Sequence, residues 1–172
     1  MAKEDLRIGV FVCDCGSNIA GSVDTEAVRE FAESLPDVVV SVRNKYTCSD
    51  PGQQEIQREI FENRLNRVVV ASCSPSSYES IFRACLKAAG LNPYLLEMAN
   101  IREHCSWVTH ERELASWKAK DIVNVAVSRA RWLYPQDEEQ ISVTDAALVI
   151  GGGVAGMQAA LDLAEAGHPV YL

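Results

Sequence analysis

The sequence has little positive charge and no long apolar segment. Its 16 Lys and Arg residues are outnumbered by 24 Asp and Glu residues, which gives a net charge of −8. A nucleic-acid-binding protein needs a basic surface to neutralise phosphates, so nucleic acid is not an expected partner. No apolar run approaches the roughly 20 residues of a membrane-spanning helix, and the first residues lack the apolar core of a signal peptide. We therefore expect a cytoplasmic protein that does not insert into membranes.

The composition is otherwise that of a folded globular protein. Hydrophobic residues make up 48% and charged residues 23% of the 172 positions, which excludes collagen-like, low-complexity and disordered classes. Cysteine stands out, because six are spread along a chain without an export signal. In a reducing compartment such cysteines are more typical of metal ligands or catalytic thiols than of disulfides.

The first part of the chain predicts alternating strands and helices. Near-continuous apolar strands separated by helices are typical of a parallel sheet covered on both faces. We therefore predict an α/β domain over residues 1–134, with a small four-stranded parallel sheet and helices on both faces. The strands are expected at 7–13, 38–42, 67–71 and 94–98, and the helices at about 24–34, from 50, 75–89 and 113–134.

The fourth predicted helix is the longest. Its large apolar residues are expected to form the face that packs against the rest of the domain. This expected face consists of Leu114, Trp117, Ile122, Val125, Ala126, Ala130 and Leu133.

A second unit is expected after a polar, acidic linker at 135–140 that begins with proline. Residues 141–172 predict a strand, a helix and a second strand, the first βαβ portion of a Rossmann-like domain. Between strand and helix, the glycines have the dinucleotide-binding spacing, which permits a tight turn, close approach of a pyrophosphate and close helix packing. The expected cofactor-binding residues are Gly151, Gly153, Val154, Ala155 and Gly156.

This second unit is expected to need more chain than it has. The acidic residue that binds the ribose lies about 20 positions after the glycines in this motif, beyond residue 172. A unit this small cannot bury an adequate core alone. We expect either a fragment of a longer flavoprotein or a fold completed by another polypeptide.

Five of the cysteines follow predicted strands. Because the carboxyl ends of parallel strands meet at one edge of a sheet, these thiols are expected to converge there. Two of them precede helix amino termini, where free N–H groups favour thiolates. The sixth, Cys85, lies on an apolar helix stripe and is expected to pack in the core. The five are Cys13, Cys15, Cys48, Cys73 and Cys105.

Spacing alone predicts a thiolate metal site without identifying the metal. Zinc is the alternative, in a zinc-stabilised module that tethers a flavoprotein to partner subunits. A dithiol oxidoreductase that uses Cys13 and Cys15 is a weaker interpretation. His104 and His110 flank Cys105, but we expect them to bind backbone groups rather than metal.

Five long motifs, in the same order, resemble the amino-terminal part of the heterodisulfide reductase A subunit. The resemblance covers nearly the whole chain. The motifs are CDCGSNIAG at 13–21, YTCSDPG at 46–52, ASCSP at 71–75, NPYLLEMANIREHCSWV at 92–108 and LVIGGGVAG at 148–156.

The resemblance implies one component of an oxidoreductase complex. Its amino-terminal domain holds a [4Fe-4S] cluster and precedes an FAD domain similar to thioredoxin reductase, with flavin-based electron bifurcation to ferredoxin and a disulfide. Other reductase subunits, ferredoxin, and a hydrogenase or dehydrogenase donor are the implied partners. The implied cluster ligands are Cys48, Cys73, Cys105 and either Cys15 or Cys13, with Cys15 favoured because it lies at the loop entrance. FAD binding is expected only if the rest of its domain is supplied.

Overall fold

The computed structural model describes residues 5–172. The chain divides into a first unit that ends at Gln136 and a second unit from Asp137 to Leu172. Among the described residues, no helix combines the length and the apolarity needed to cross a membrane.

The first unit contains a four-stranded parallel sheet in the order β2-β1-β3-β4, which confirms the predicted α/β architecture. Each strand is followed by a helix, as parallel connections require. The elements are β1 (Ile8–Cys13), α1 (Thr25–Glu33), β2 (Val38–Asn44), α2 (Asp50–Glu62), β3 (Arg67–Ser72), α3 (Pro75–Ala88), β4 (Leu96–Asn100) and α4 (Arg112–Ala130).

Helices cover both faces of this sheet. On β1, Val10 and Val12 pack in a core with residues of α1 and α4, whereas Phe11 packs in a separate core with residues of α2 and α3. The alternation follows from the period of two along a strand. Both cores are well buried, so the sheet is held from either side.

Some predicted boundaries are shifted by two residues or more. The fourth strand begins at Leu96, two residues later than predicted, because Pro93–Leu95 form a short 3-10 helix. The Asn92 side chain stabilises this turn by accepting a hydrogen bond from the Tyr94 N–H at 3.0 Å. The fourth helix, α4, ends at Ala130 instead of about residue 134.

The predicted packing face of α4 was wrong for its largest residues. Leu114, Trp117 and Val125 are 56%, 61% and 67% exposed. The buried stripe has helical spacing but is built from smaller side chains, which lets the helix approach the sheet closely. The buried residues are Ala115, Ala119, Val123, Ala126, Val127 and Ala130.

The second unit contains β5 (Ala147–Leu148), α5 (Val154–Glu165) and β6 (Val170–Tyr171), with β5 and β6 paired in parallel. This is the strand–helix–strand order expected for the start of a Rossmann-like domain. Within residues 137–172 no side chain is fully buried.

Candidate metal centre

Four cysteines lie at or just after the carboxyl ends of the first three strands. Cys13 is the last residue of β1, Cys15 follows it, Cys48 lies between β2 and α2, and Cys73 lies between β3 and α3. Cys13 and Cys73 are 2% and 4% exposed, whereas Cys15 and Cys48 are half-buried. The four positions therefore share one edge of the sheet, partly inside the protein and partly at its surface.

The loop that carries Cys48 is fixed by short-range contacts. Ser49 caps α2 by accepting a hydrogen bond from the Gly52 N–H at 3.4 Å, and Thr47 donates to the Asn44 side-chain oxygen at 2.6 Å. A Cβ at position 52 would lie 2.6 Å from the Thr47 carbonyl oxygen, so only glycine permits this close approach. Cys48 is consequently held immediately before the amino terminus of α2.

Neighbouring cysteines contribute to the raised pKa values of three of these thiols. Burial, followed by the charge of Cys13, raises the pKa of both Cys15 and Cys48. Burial also raises the pKa of Cys73 to about 11, with further contributions from Cys13 and Cys48. Because each effect needs proximity, Cys13, Cys15, Cys48 and Cys73 form one group, which we call the thiol group.

The thiol group has a positively charged neighbour that the sequence analysis missed. The charge of Arg102 opposes the effect of burial and lowers the pKa of Cys15, Cys48 and Cys73. Arg102 follows β4 directly after Ile101, so the available signal was its position at the same strand edge as the cysteines.

Cys105 is not brought into the thiol group. It lies in a π-helical turn, Arg102–Ser106, and is 0% exposed in the core beside α4. Its Sγ donates a hydrogen bond to the Ala115 carbonyl oxygen at 3.1 Å. Burial raises the pKa of Cys105, and Lys118 opposes this rise. The structure thus directs this thiol toward α4.

The remaining sulfur and imidazole groups have other environments. Cys85 is 2% exposed in the core with Phe82 and Leu86, which confirms its predicted packing role. His104 and His110 are exposed. Across residues 5–172, no three Cys, His, Asp or Glu side chains are close enough to hold a single metal ion.

The thiol group has the features of a site for an anionic group bound through sulfur. It combines four thiols, the amino termini of α2 and α3, and a guanidinium. Next to Cys73, the Ser72 hydroxyl is buried and has no hydrogen-bond partner. An unpartnered buried hydroxyl costs free energy, which a bound acceptor at this position would recover.

The glycine loop of the second unit is shaped by its own backbone. Gly151 has a φ of 118°, a conformation that favours glycine. A Cβ on Gly156 would overlap the Gly151 carbonyl oxygen, so the third glycine is required as well. Gly153 is the N-cap of α5, and a Cβ there would meet nothing within 4 Å. The loop therefore leaves open space in front of a helix amino terminus, where Val154 and Ala155 begin α5.

No protein-family model matches the chain, but several curated proteins do. It is 59% identical over 173 positions to the second iron-sulfur A subunit of the CoB–CoM heterodisulfide reductase of Methanopyrus kandleri, covering 100% of the chain and 26% of that protein. It is 58% identical over 170 positions to the A subunit of the H2:CoB–CoM heterodisulfide,ferredoxin reductase of Methanothermobacter marburgensis, covering 98% and 26%.

A third relative has a different named electron donor. The A subunit of the ferredoxin/F420H2-dependent CoB–CoM heterodisulfide reductase of Methanosarcina acetivorans is 49% identical over 168 positions, which cover 97% of the chain and 21% of the relative. The chain spans about a quarter of the length of the curated relatives it matches. The high identity over the whole chain falls on the amino-terminal part of these proteins. Over its whole length the chain is therefore similar to the amino-terminal quarter of heterodisulfide reductase A subunits.

Proposed function

We propose that the chain is an electron-transfer module of a heterodisulfide-reductase-like oxidoreductase. In this proposal Cys13, Cys15, Cys48 and Cys73 hold a [4Fe-4S] cluster. The observation that carries it is the position of these four cysteines at or just after the carboxyl ends of β1, β2 and β3, at one edge of the sheet. The iron-sulfur name of the Methanopyrus relative supports the same class of cofactor.

For the fourth cluster ligand, the contacts in the structure and the family resemblance favour different cysteines. The resemblance implies Cys105 together with Cys15, Cys48 and Cys73. The Cys105 thiol, however, is bonded to the Ala115 carbonyl oxygen within a core, whereas Cys13 interacts directly with Cys15. We therefore assign the fourth position to Cys13.

A zinc ion and a four-iron cluster require different spacings of their four sulfur ligands. A tetrahedral Zn²⁺ ion with Zn–S bonds of about 2.3 Å needs its ligands nearly in contact with one another. No three described ligand side chains are grouped that tightly. In a four-iron cluster each thiolate binds a different iron, so the sulfurs stand further apart.

The chain's own residues bind and orient the cofactor. When bound, a [4Fe-4S] cluster supplies reversible uptake of a single electron. The amino termini of α2 and α3 and the Arg102 guanidinium favour the negative charge of the thiolates. Burial of Cys13 and Cys73 excludes water from the inner side. This work needs no acid–base or nucleophilic residue.

The second unit supplies the start of an FAD site in this proposal. The open space at Gly153 and the amino terminus of α5 suit a pyrophosphate. The remaining FAD contacts would come from the part of the longer relatives that the chain does not span. The whole protein would then pass electrons from a hydrogenase or dehydrogenase to FAD, and by bifurcation to ferredoxin and a disulfide. Other heterodisulfide reductase subunits would complete this complex.

Anaerobic reconstitution of the full chain with iron and sulfide tests the proposal. We expect equal amounts of bound iron and acid-labile sulfide, a broad visible absorbance that dithionite bleaches, and an EPR signal in the reduced state. Colourless protein that takes up one zinc and no sulfide would contradict electron transfer and favour the zinc-stabilised interaction module. A metal-free folded chain with one thiol of low pKa would favour the dithiol oxidoreductase.

Cysteine variants identify the ligands in the same preparation. Alanine at each position of the thiol group is expected to abolish the EPR signal, whereas Cys85→Ala is the matched control that retains it. Cys105→Ala decides the fourth ligand, because we expect it to retain the signal that Cys13→Ala loses. The reverse result would restore Cys105 as a ligand and leave the electron-transfer proposal standing.

A further inference from the structure

The first unit ends on a residue that is held by a single asparagine side chain. Asn92 donates from Nδ2 to the Gln136 carbonyl oxygen at 2.8 Å, and its Oδ1 accepts from the Gln136 N–H at 3.3 Å. Gln136 is the last residue of the first unit. One carboxamide therefore satisfies both backbone groups of this residue, as a neighbouring strand would do.

The Asn92 side chain is itself held in place. Its Oδ1 also accepts a hydrogen bond from the Tyr94 N–H at 3.0 Å, at the start of the short 3-10 helix that precedes β4. An amide oxygen has two lone pairs, so it can accept from Tyr94 and Gln136 together. Pro93 follows directly and restricts the backbone of Asn92. The contact with Gln136 is thus made from a rigid turn.

Residues 132–136, which we call the exit segment, connect α4 to this contact. Leu133 packs against the core that lies beside α4, whereas Trp132 and Tyr134 are 76% and 64% exposed. A segment with few buried side chains opens locally at little cost in free energy. The exit segment therefore depends on two attachments, the packing of Leu133 and the hydrogen bonds of Gln136.

The exit segment also borders the outer strand of the sheet. β4 is the last strand in the order β2-β1-β3-β4. Leu133, Tyr134 and Gln136 line a cavity of about 440 Å³. Glu97 and Met98 of β4 line the same cavity. Because an uncovered outer strand offers backbone groups to other chains, the attachment of the exit segment matters for the sheet as well.

We propose that the Asn92 carboxamide is a strap that fixes the exit segment and thereby sets where the linker to the second unit begins. With the strap closed, the linker runs over 137–146, which are 10 residues without helix or strand. With the strap open, it begins after Leu133 and gains three residues, 134–136. Three extended residues add up to about 10 Å of reach. The strap therefore limits how far the unit with the glycine loop can extend from the first unit.

The chain offers a matched control asparagine. The Asn66 Oδ1 accepts from the Arg7 N–H at 2.8 Å, and its Nδ2 donates to the Asp5 carbonyl oxygen at 2.8 Å. This is the same two-way contact between a carboxamide and a distant backbone, but it holds the segment before β1. Asn66→Ala therefore removes the same kind of contact and leaves the exit segment in place.

Relaxation of the backbone amide nitrogens in the full chain tests the inference. In the wild type we expect the heteronuclear NOE values of Tyr134 and Gln136 to be close to those of β4 and above those of residues 138–140. In Asn92→Ala they should fall to the level of residues 138–140. Asn66→Ala should leave them unchanged.

Limited proteolysis with trypsin gives a second readout. We expect cleavage after Arg131 to become several-fold faster in Asn92→Ala and to stay at the wild-type rate in Asn66→Ala. The reason is that cleavage of a segment that opens locally follows the population of the open form.

The outcomes decide for or against the strap alone. Wild-type Tyr134 and Gln136 that are as mobile as residues 138–140 would overturn it, as would unchanged mobility in Asn92→Ala. If Asn92→Ala alters the amide shifts of β4, Asn92→Asp decides. That variant keeps an acceptor for Tyr94 and places an oxygen instead of a donor against the Gln136 carbonyl. Increased mobility of Gln136 in it supports the strap, and unchanged mobility overturns it. None of these measurements needs iron or sulfide, so the proposed function is tested separately.

Discussion

The two units of the chain share a parallel strand–helix–strand arrangement but differ in what they bury. In the first unit, helices cover both faces of the sheet, and Phe11, Phe82 and Val10 are 0% exposed. In the second, Ile150 and Val154 are 90% and 82% exposed, although both are apolar. From this difference we expect the arrangement to be stable only when other elements cover its apolar residues.

The second unit nevertheless keeps a specific backbone shape. Its loop depends on the positive φ of Gly151 and on the close approach at Gly156, and neither feature needs a core. The shape of this loop can therefore be specified by its glycines without a buried core around it. The exposed apolar residues of 137–172 form a surface that suits contact with other elements.

The largest expected difference between the units concerns autonomous folding. A chain that ends at Gln136 should fold cooperatively, whereas the isolated segment 137–172 should not, because it buries too little apolar surface. Circular dichroism and NMR chemical-shift dispersion of the two pieces check this expectation. Cooperative unfolding of the isolated segment 137–172 would contradict the expectation that only the first unit folds by itself.

Deletion of a large side chain should be costly in one unit and nearly neutral in the other. Phe82→Ala is expected to reduce the free energy of unfolding by about 3–5 kcal/mol, because Phe82 is 0% exposed and its loss leaves a cavity. Leu161→Ala is the matched change in the second unit, and it should cost no more than about 0.5 kcal/mol, since Leu161 is 58% exposed. Urea titrations measure both. Equal losses would show that the second unit contributes to global stability.

A smaller effect is expected at a helix cap of the first unit. Asp24 accepts a hydrogen bond from the Ala27 N–H at 3.0 Å at the start of α1. Asp24→Ala should therefore cost about 1 kcal/mol of unfolding free energy. Asp24→Asn keeps an acceptor and serves as the control. If the alanine and asparagine variants were equally unstable, charge rather than capping would be responsible.

The smallest expected effect is a pH dependence of the stability of the first unit, caused by Glu97 on β4. Burial raises the pKa of Glu97, and Arg129 only partly opposes this rise. The carboxyl group of Glu97 therefore binds its proton more tightly in the folded state than in the unfolded state. Its contribution to the free energy of unfolding is complete below the pKa of the unfolded state, and it is lost as pH rises through the pKa of the folded state. Between these two pKa values, the wild type should lose stability relative to the Glu97→Gln variant as pH rises.

Chemical denaturation at several acidic to neutral pH values checks this prediction. Glu139→Gln, at an exposed position in the second unit, is the control. A stability difference between wild type and Glu97→Gln that is independent of pH would contradict it.

The sequence allowed the strands and the edge where cysteines gather to be predicted, because both depend on residue order and on the geometry of parallel sheets. The predicted face of α4 was right at Ala126 and Ala130 and wrong at Leu114, Trp117 and Val125. Large apolar residues were given more weight there than the small ones that are buried. The direction of a side chain in a loop does not follow from its spacing. Cys105 lies in a π-helical turn that aims its thiol at Ala115, and Arg102 belongs to no motif that would have singled it out.

The unequal exposure of the four grouped sulfurs has a consequence for the route of an electron. Cys13 and Cys73 lie against the protein interior, whereas Cys15 and Cys48 are partly open to solvent. Tunnelling rates fall steeply with distance, so a redox partner would gain its shortest approach over the Cys15 and Cys48 loops. If the proposed cluster is bound here, electrons would therefore enter or leave it on the side of Cys15 and Cys48.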